Sequence, residues 1–245
     1  MDDKDNIIET FTELAPRYEE VVDAELNRFW GWSYEGFVNQ LLQVTTLPTN
    51  GVLLDLATET GVIPIKVATS IPGMMRIHGL DITMSMLGRA RKKMVTGDIP
   101  NQIDLVCASA MNIPYANGSF DLVTCALATH HMDVRLLLSE SWRILGESGM
   151  LSIADVGGSK LWKSPIVKTI LRIAAFVYFL FQENIHRAWA EAEAVSNVRS
   201  KEEWIDLLTT IGFQNIKVTK LQSKHRWVPE PLVIQATKSN SGGSA

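Results

Sequence analysis

The stretch GVLLDLATETG, residues 51–61, predicts a buried strand, a tight turn and the start of a helix. Its apolar run, residues 52–56, is typical of a strand that is covered on both faces of a sheet. The turn runs from Thr58 to Gly61, and Pro64 then lies in the first turn of the following helix. The free N–H groups of such a helix point past the strand end. We therefore expect this turn to hold a nucleoside-type cofactor.

Strands and helices alternate on the C-terminal side of this turn. Further strands are predicted over residues 75–81, 103–108, 120–126 and 150–155, with helices over residues 84–95 and 133–145. Five strands separated by helices imply a doubly wound, mostly parallel α/β sheet with right-handed crossovers. A capping box at Ser200 starts a further helix, and strands over residues 215–221 and 232–237 follow it. We therefore predict a seven-stranded, Rossmann-like sheet with an antiparallel hairpin at its edge.

The chain is expected to form one domain over residues 1–238. Residues 1–48 show two helical patterns separated by Pro16, then a further helix, and are expected to form a lid over the cofactor turn. Residues 156–199 are predicted to be a helical insertion that covers the substrate. Residues 239–245 are small and polar, as is typical of a flexible tail.

An apolar segment, residues 166–181, lies inside this insertion. It is shorter than the ~20 residues that a membrane-spanning helix needs, and it contains Lys168 and Arg172. A membrane span is therefore not expected. We predict a helix that is buried against the core, and the alternatives are a wall of an apolar substrate pocket or a contact with a membrane surface.

The composition of the chain limits which partners it can bind and indicates the cellular compartment in which it works. The formal net charge of −4 gives no basic footprint for nucleic acid. Cys107 and Cys125 lie in apolar runs without metal-ligand spacing, which predicts buried, reduced thiols, no metal site and a cytoplasmic location. The acidic residues near the N-terminus are unlike the basic start of a signal peptide. The oligomeric state is not predicted by any of these features.

Polar and small residues follow the predicted strand ends. Asp55 ends the first strand, and Asp81 ends the second, where a carboxylate can accept hydrogen bonds from both ribose hydroxyls. Ser109, Ala110 and Met111 follow the third strand, where they can meet an adenine edge. Because parallel strands end at the same edge of a sheet, these residues together outline a bound nucleoside.

Two histidines, His130 and His131, follow the fourth predicted strand at the same edge. Either one can act as a base or orient a substrate, and a structural hydrogen bond to the backbone is the alternative. Asp155 ends the fifth strand on this side, where it either caps a loop or contacts the substrate.

Several segments together resemble the class I S-adenosylmethionine-dependent methyltransferases, and most closely the group like the ubiquinone/menaquinone C-methyltransferases. These segments are residues 53–61, 79–83, 111–115, 119–124, 140–145 and 149–151. The resemblance is good over residues 50–155. It implies an enzyme that binds S-adenosylmethionine and transfers its methyl group to a small molecule.

The resemblance also implies a cofactor site. The residues that it assigns are Asp55, Ala57, Thr58 and Gly61 around the methionine part, Ala126 and Leu127 by the methionyl end, Asp81 on the ribose, Ile82 on the adenine face, Ser109, Ala110 and Met111 at the adenine amino edge, and Tyr18 as a cover.

Two residues depart from the family pattern. Where Glu59 stands, the family usually has glycine, because the backbone must approach the cofactor closely there. The glutamate can instead pair with the ammonium or sulfonium group of the cofactor. Where Ser109 stands, the family usually has an acid, and a serine accepts a bond from the adenine amine without charge assistance. We therefore predict weaker cofactor binding than is usual in the family.

The methyl acceptor is not identified by any residue, because aligning a nucleophile with an activated methyl group supplies much of the rate. The apolar segment lies where the resemblance places the substrate cover of the family, which predicts a hydrophobic, aromatic or polycyclic small molecule. A peripheral membrane contact is the alternative for this segment.

Three alternatives are weighed against this interpretation. A protein of this fold can bind the cofactor and catalyse a cyclisation or rearrangement, which the unusual Glu59 favours. A nicotinamide-dependent oxidoreductase would show a glycine-rich turn directly after the first strand, which this chain lacks. An arsenic-type methyltransferase would need more thiols than the two cysteines supply.

Overall fold

The structure of the chain is a computed structural model that describes residues 3–73, 75–99, 102–159, 162, 164–225, 228 and 230–239. The flexible tail predicted over residues 239–245 therefore lies outside the described residues except for Ser239. The same holds for residues 1 and 2 of the predicted lid and for residues 160, 161 and 163 of the predicted substrate cover.

Seven strands form one sheet in the order β3-β2-β1-β4-β5-β7-β6. They are β1 (Val52–Leu56), β2 (Arg76–Asp81), β3 (Ile103–Cys107), β4 (Phe120–Ala126), β5 (Leu145–Asp155), β6 (Phe213–Lys220) and β7 (Leu232–Lys238). The first five strands pair in parallel, whereas β7 pairs antiparallel with both β5 and β6. The doubly wound sheet and its antiparallel edge hairpin are thus confirmed. The strand order reverses between β1 and β4, and such a switch point opens a crevice at the carboxyl ends of the strands.

Helices precede, separate and follow these strands. They are α1 (Asp3–Leu14), α2 (Tyr18–Trp30), α3 (Tyr34–Val44), α4 (Val62–Ser70), α5 (Met84–Thr96), α6 (Val134–Ile144), α7 (Pro165–Gln182), α8 (Ile185–Ala194) and α9 (Lys201–Ile211). The break predicted at Pro16 is a 3₁₀ turn, Ala15–Arg17, between α1 and α2. The capping box that was predicted at Ser200 is also present, because its hydroxyl and the Glu203 carboxylate each accept the other's backbone N–H.

The sheet is covered on both faces, as the apolar run of β1 predicts. Leu53 and Leu54 point to opposite faces, and both are fully buried. Leu54 packs in a core with α6 and α9, in which Trp204 is the largest fully buried side chain. Leu53 packs in a second core with α2, α3 and α4, which contains Phe37. The N-terminal helices are therefore part of one of the two cores.

Two sequence-based predictions of burial are wrong. Cys107 is exposed, because β3 is an edge strand of the sheet and its side chains are covered only in part. Residues 166–181 do form a helix, but α7 is not a core helix: Phe179 is its one buried side chain in the part of the chain that the structure describes. By length and composition α7 is also apolar enough to cross a membrane, which no other described helix is.

Gly61 stands at the point where the turn after β1 enters α4. It is the N-cap of that helix with φ at +77°, and a Cβ atom built on it would lie 3.0 Å from the Cβ of Ala90. Only glycine adopts this backbone conformation without strain.

We expect Gly61→Ala to lower the free energy of unfolding by about 1–3 kcal/mol, because it adds left-handed strain and a close contact. Gly88→Ala is the matched control, since a Cβ atom there meets nothing within 4 Å in the middle of α5. It should raise stability by about 0.5–1 kcal/mol. Urea unfolding followed by circular dichroism measures both, and equal effects would contradict the assignment of Gly61.

Candidate active site

A cavity of about 430 Å³ opens at the carboxyl ends of the parallel strands. It is lined by the segments that follow β1, β2, β3 and β4 and by residues of α1 and α8. Ten of the residues predicted from the sequence line it: Ala57, Glu59, Asp81, Ile82, Ser109, Ala110, Met111, Leu127, His130 and His131. Five others are buried or half-buried without lining it: Tyr18, Asp55, Thr58, Gly61 and Ala126.

The turn after β1 is held in an unusual backbone conformation. Ala57 and Glu59 both have positive φ angles, 49° and 56°, although neither is glycine. Leu127, on the far side of the cavity, has a φ of 52°. The turn is tied to β2, because Thr58 N–H donates to the Leu80 carbonyl at 2.9 Å. Such strain persists only where the surrounding structure enforces it, and it concentrates at functional sites.

Glu59 directs its carboxyl group toward the N-terminal helices. Its Oε2 accepts a hydrogen bond from the Tyr34 hydroxyl at 2.6 Å, and its Oε1 accepts one from the Tyr18 hydroxyl. Burial raises the pKa of Glu59 well above its usual value and outweighs the two tyrosine bonds, which lower it. Tyr18, which is expected to cover the cofactor, is thus bound to the turn, and its covering role stays a prediction. Tyr34 was missed, because nothing in the sequence of α3 marks it as different from a core aromatic residue.

Two further carboxyl groups are buried at the same strand ends. Asp55 accepts a hydrogen bond from the Thr124 hydroxyl at 2.7 Å, and burial raises its pKa to about 7. Asp81 accepts from the backbone N–H groups of Thr83 at 2.8 Å and Glu59 at 2.9 Å. Burial raises the pKa of Asp81 despite these bonds. Among the described residues, no lysine or arginine pairs with Asp55, Glu59 or Asp81. The site therefore favours a ligand that carries positive charge.

His130 forms an ion-pair-like contact with Asp155 at the end of β5. Its Nδ1 lies 2.7 Å from the Asp155 Oδ1; the Asp155 side chain is buried, and that of His130 is 13% exposed. Asp155 also accepts from the Thr129 N–H at 2.7 Å and from the Val156 N–H at 2.7 Å. Burial opposes the charged imidazolium, but the Asp155 carboxylate overcomes this and raises the pKa of His130. With Nδ1 donating to Asp155, Nε2 is the nitrogen that can accept a proton.

His131 belongs to a second buried group, which joins α8 to the cavity. Its Nε2 lies 3.5 Å from the Glu191 Oε1, and Arg187 Nη2 lies 2.9 Å from the same oxygen. Burial and the neighbouring His130 lower the pKa of His131. Arg187 also packs over the ring of Phe11 at 5.5 Å.

His130, His131 and Glu191 offer possible metal ligands within 4.8 Å of one another, the one such group among the described residues. The Glu191 carboxylate is already neutralised by Arg187, and a guanidinium ion at this distance repels a metal cation. We therefore assign no metal to this group.

The wall opposite the cofactor turn is mainly apolar and comes from elements distant in sequence. Ile7 and Phe11 of α1, Met132 after β4, and Ala190 and Ala194 of α8 line it. These residues were not predicted, although the helical spacing of the apolar residues in α1 marks the face that meets the cavity.

Comparison with known proteins agrees with this geometry. Residues 54–153 match the sequence profile of the family described as "Methyltransferase domain". Demethylmenaquinone methyltransferase of Porphyromonas gingivalis is 24% identical over 220 residues, which are 83% of either chain. The ubiquinone/menaquinone biosynthesis C-methyltransferase of Geotalea uraniireducens is 26% identical over 217 residues, which are 87% of this chain and 90% of the relative. These matches support assignment of the chain to the class I S-adenosylmethionine-dependent methyltransferases.

Solved structures share the fold of this chain. Geranyl diphosphate C-methyltransferase of Streptomyces coelicolor superposes with a TM-score of 0.65 at 14% identity, covering 91% of this chain and 84% of that one. Phosphoethanolamine N-methyltransferase 2 of Haemonchus contortus gives a TM-score of 0.66 at 14% identity, covering 94% of this chain and 59% of that one. Identities this low establish the fold alone.

The methyltransferase-domain match supports S-adenosylmethionine as the cofactor, and the charge of this cofactor suits the cavity. The sulfonium and ammonium groups outweigh the carboxylate of the cofactor and give it a net positive charge, which suits a cavity with three buried carboxyl groups. The matches therefore favour methyl transfer over the nicotinamide-dependent alternative. The unusual Glu59, which favoured a non-methylating reaction, is accounted for by its bonds to the two tyrosines.

We expect Tyr34→Phe to lower the free energy of unfolding by about 1–3 kcal/mol, because Glu59 Oε2 loses its partner in a buried place. Tyr178→Phe is the control, since its hydroxyl bond to Arg28 at 2.7 Å is exposed, and it should cost less than about 0.5 kcal/mol. Urea unfolding measures both. Equal losses would show that the Glu59 contact does not stabilise the fold.

The affinity for S-adenosylmethionine should rise as the pH increases through about 7, the pKa of Asp55. The ionised carboxylate attracts the sulfonium, so cation binding lowers this pKa and releases a proton. S-adenosylhomocysteine lacks the sulfonium charge and should show a shallower rise. In Asp55→Asn, the affinities for the two ligands should depend on pH to the same extent. In Glu35→Gln, at an exposed position, the steeper pH dependence for S-adenosylmethionine should be preserved. Isothermal titration calorimetry measures these slopes, and parallel slopes for both ligands would contradict this role for Asp55.

Proposed function

We propose that the methyltransferase transfers the methyl group of S-adenosylmethionine to a ring carbon of a hydrophobic aromatic molecule that carries a hydroxyl group. The observation that carries this proposal is the His130–Asp155 pair, whose histidine lines the cavity together with the apolar side chains of Phe11, Met132 and Ala194. An apolar wall binds an aromatic ring, and a histidine with a raised pKa can take the proton of a ring hydroxyl.

The cofactor is proposed to lie across the strand ends. In this arrangement Asp81 accepts from the ribose hydroxyls with its remaining lone pairs, Ile82 packs on the adenine, and Ser109, Ala110 and Met111 meet the adenine edge. Ala57, Glu59 and Leu127 surround the methionine part, while Tyr18, Asp55, Thr58, Gly61 and Ala126 support these residues from behind. The weaker cofactor binding that Glu59 and Ser109 predict stays a prediction.

The acceptor class is supported by two independent observations. The relatives from Porphyromonas gingivalis and Geotalea uraniireducens are named for quinone-type molecules, which are aromatic in their reduced form and apolar. The cavity of this chain has Phe11 of α1 and Ala194 of α8 on its acceptor side, which suit a flat apolar ring. A reduced quinone ring is therefore the acceptor that we propose.

The bound cofactor supplies a methyl group that is already activated by its sulfonium. His130 Nε2 takes the proton of the ring hydroxyl, which raises the electron density of the ring carbon that receives the methyl group. Asp155 stabilises the resulting imidazolium through the contact at 2.7 Å. Phe11 and the N-terminal helices exclude water from the ring. Formation of the new carbon–carbon bond would break the S–CH₃ bond and leave neutral S-adenosylhomocysteine. The methylated carbon would then lose its proton to solvent, which makes the ring aromatic again, and the His130 imidazolium would return its proton to the ring oxygen.

A peripheral membrane contact and a cytoplasmic location belong to the same proposal. Apolar quinones reside in membranes, so an enzyme that methylates them benefits from a surface that meets the bilayer. Cys107 and Cys125 are both free thiols, which accords with a reducing compartment.

Replacing His130 with Asn should lower kcat by about 10²–10⁴-fold, the usual contribution of a general base, and leave the Kd of S-adenosylmethionine unchanged. His186→Asn is the control, because His186 is half-exposed and does not line the cavity, and it should retain full activity. The assay uses a reduced naphthoquinone with a short prenyl chain and, in parallel, a polar catechol.

Two results would overturn the proposal. Full activity of His130→Asn would show that His130 is not the general base. Methylation of the polar catechol alone would show that the acceptor is not hydrophobic. Asp155→Asn offers a further test, since loss of the carboxylate should lower the pKa seen in the pH dependence of kcat.

A further inference from the structure

The helix α7 exposes a continuous apolar stripe. Ile166, Ile170, Ile173, Val177 and Phe181 recur every three or four residues, so they lie on one face of the helix. That face points to solvent: Ile166 is 72% exposed and Phe181 82% exposed. Leu180 extends the stripe beside Phe181. A monomer rarely leaves so many large apolar side chains uncovered in one row, and such a row marks an interaction surface.

The opposite face of α7 is fixed to the rest of the protein. Lys168 Nζ donates to the Ser196 carbonyl at 3.3 Å, Arg172 pairs with Glu193, and Tyr178 accepts a hydrogen bond from Arg28. Phe179 is buried beneath the helix. Insertion of α7 across a bilayer would break all of these contacts and place two charges in hydrocarbon. The helix therefore presents its stripe from the surface of the protein and does not span a membrane.

Charge favours a lipid surface as the partner. Residues 156–182 contain Lys160, Lys163, Lys168 and Arg172 and neither Asp nor Glu, in a chain whose formal net charge is −4. Lys168 and Arg172 are held on the face opposite the stripe, so the charge available to a lipid surface comes from Lys160 and Lys163, just before α7. An apolar helix face within a basic segment is the pattern of helices that lie in the interface of an anionic membrane. Trp189 of α8, which is 52% exposed and packs against Phe176 of α7, adds a side chain that is favoured at membrane interfaces.

The area of the stripe argues against a second copy of the chain. A helix of 18 residues is about 27 Å long, and a face about 10 Å wide then offers roughly 270 Å². A stable protein–protein interface needs about 800 Å² from each partner. A bilayer imposes no such minimum, because the apolar side chains enter it one by one.

The stripe is also close to the cavity. The helix α8 follows α7 after a short turn, packs against it, and places Ala190 and Ala194 in the cavity wall. One helix layer thus separates the exposed stripe from the place proposed for the acceptor.

We propose that α7 docks the methyltransferase on an anionic lipid bilayer, with its helix axis in the membrane plane and Ile166, Ile170, Ile173, Val177 and Phe181 entering the acyl region. This inference deepens the proposed function, since a bilayer-dissolved acceptor would then enter the cavity beside α8.

Vesicle co-sedimentation tests the docking in the absence of cofactor and acceptor, so its outcome does not depend on methyl transfer. The probes are vesicles of phosphatidylcholine with phosphatidylglycerol and vesicles of phosphatidylcholine alone. The full chain should bind the anionic vesicles, and binding should weaken as salt concentration rises. The double variant Ile173→Glu, Val177→Glu should bind them at least ~10-fold more weakly, because two charges then enter the apolar layer.

The matched control is Val95→Glu, Leu136→Glu. It adds the same charge at two exposed apolar positions on α5 and α6 and should bind like the unaltered chain. Circular dichroism and the Kd of S-adenosylhomocysteine confirm that both variants are folded. No binding of the unaltered chain to anionic vesicles, or equal losses in both variants, would overturn the proposal. So would a dimer, measured by light scattering without vesicles, that only Ile173→Glu, Val177→Glu dissociates.

Discussion

The arrangement of the cavity depends on how one buried carboxyl group is satisfied. Glu59 lies on the turn between β1 and α4, and a carboxyl group in such a place is costly unless it is hydrogen-bonded. Its partners are the hydroxyls of Tyr18 on α2 and Tyr34 on α3. These bonds hold the N-terminal helices against the turn, and α1 then brings Phe11 to the cavity. A residue that is unusual for a cofactor turn thereby joins that turn to the helices above it.

Much of the fold follows from local patterns in the sequence. The bounds of β1 and β4 were predicted to the residue, because apolar runs of buried strands end where polar turn residues begin. Asp133 and Ser200 correctly predicted the starts of α6 and α9, because an N-cap residue binds backbone N–H groups only two or three residues further along the chain. Burial was harder to predict. Cys107 and the stripe of α7 lie in apolar sequence but are exposed, because their burial depends on whether another element lies opposite.

The same division applies to the candidate site. Residues at the ends of parallel strands must share one edge of the sheet, so Asp81, Ser109 and His130 were brought together as predicted. The contacts that complete the site join segments far apart in the chain. Tyr34 reaches Glu59 across 25 residues, and Asp155 reaches His130 across the same separation. Such pairs arise from tertiary packing, and no periodicity in the sequence announces them.

The position of β7 has a consequence for how the chain folds during synthesis. The strand lies between β5 and β6, so Leu151 pairs with Ala236 across a long sequence separation. When β6 leaves the ribosome it has no neighbour in the sheet, and its backbone groups stay unpaired until β7 follows. The parallel half around the cofactor turn can assemble earlier from β1 to β5. Formation of the edge hairpin is therefore the late step of assembly, and a nascent chain that stalls before β7 exposes β5 as an open sheet edge.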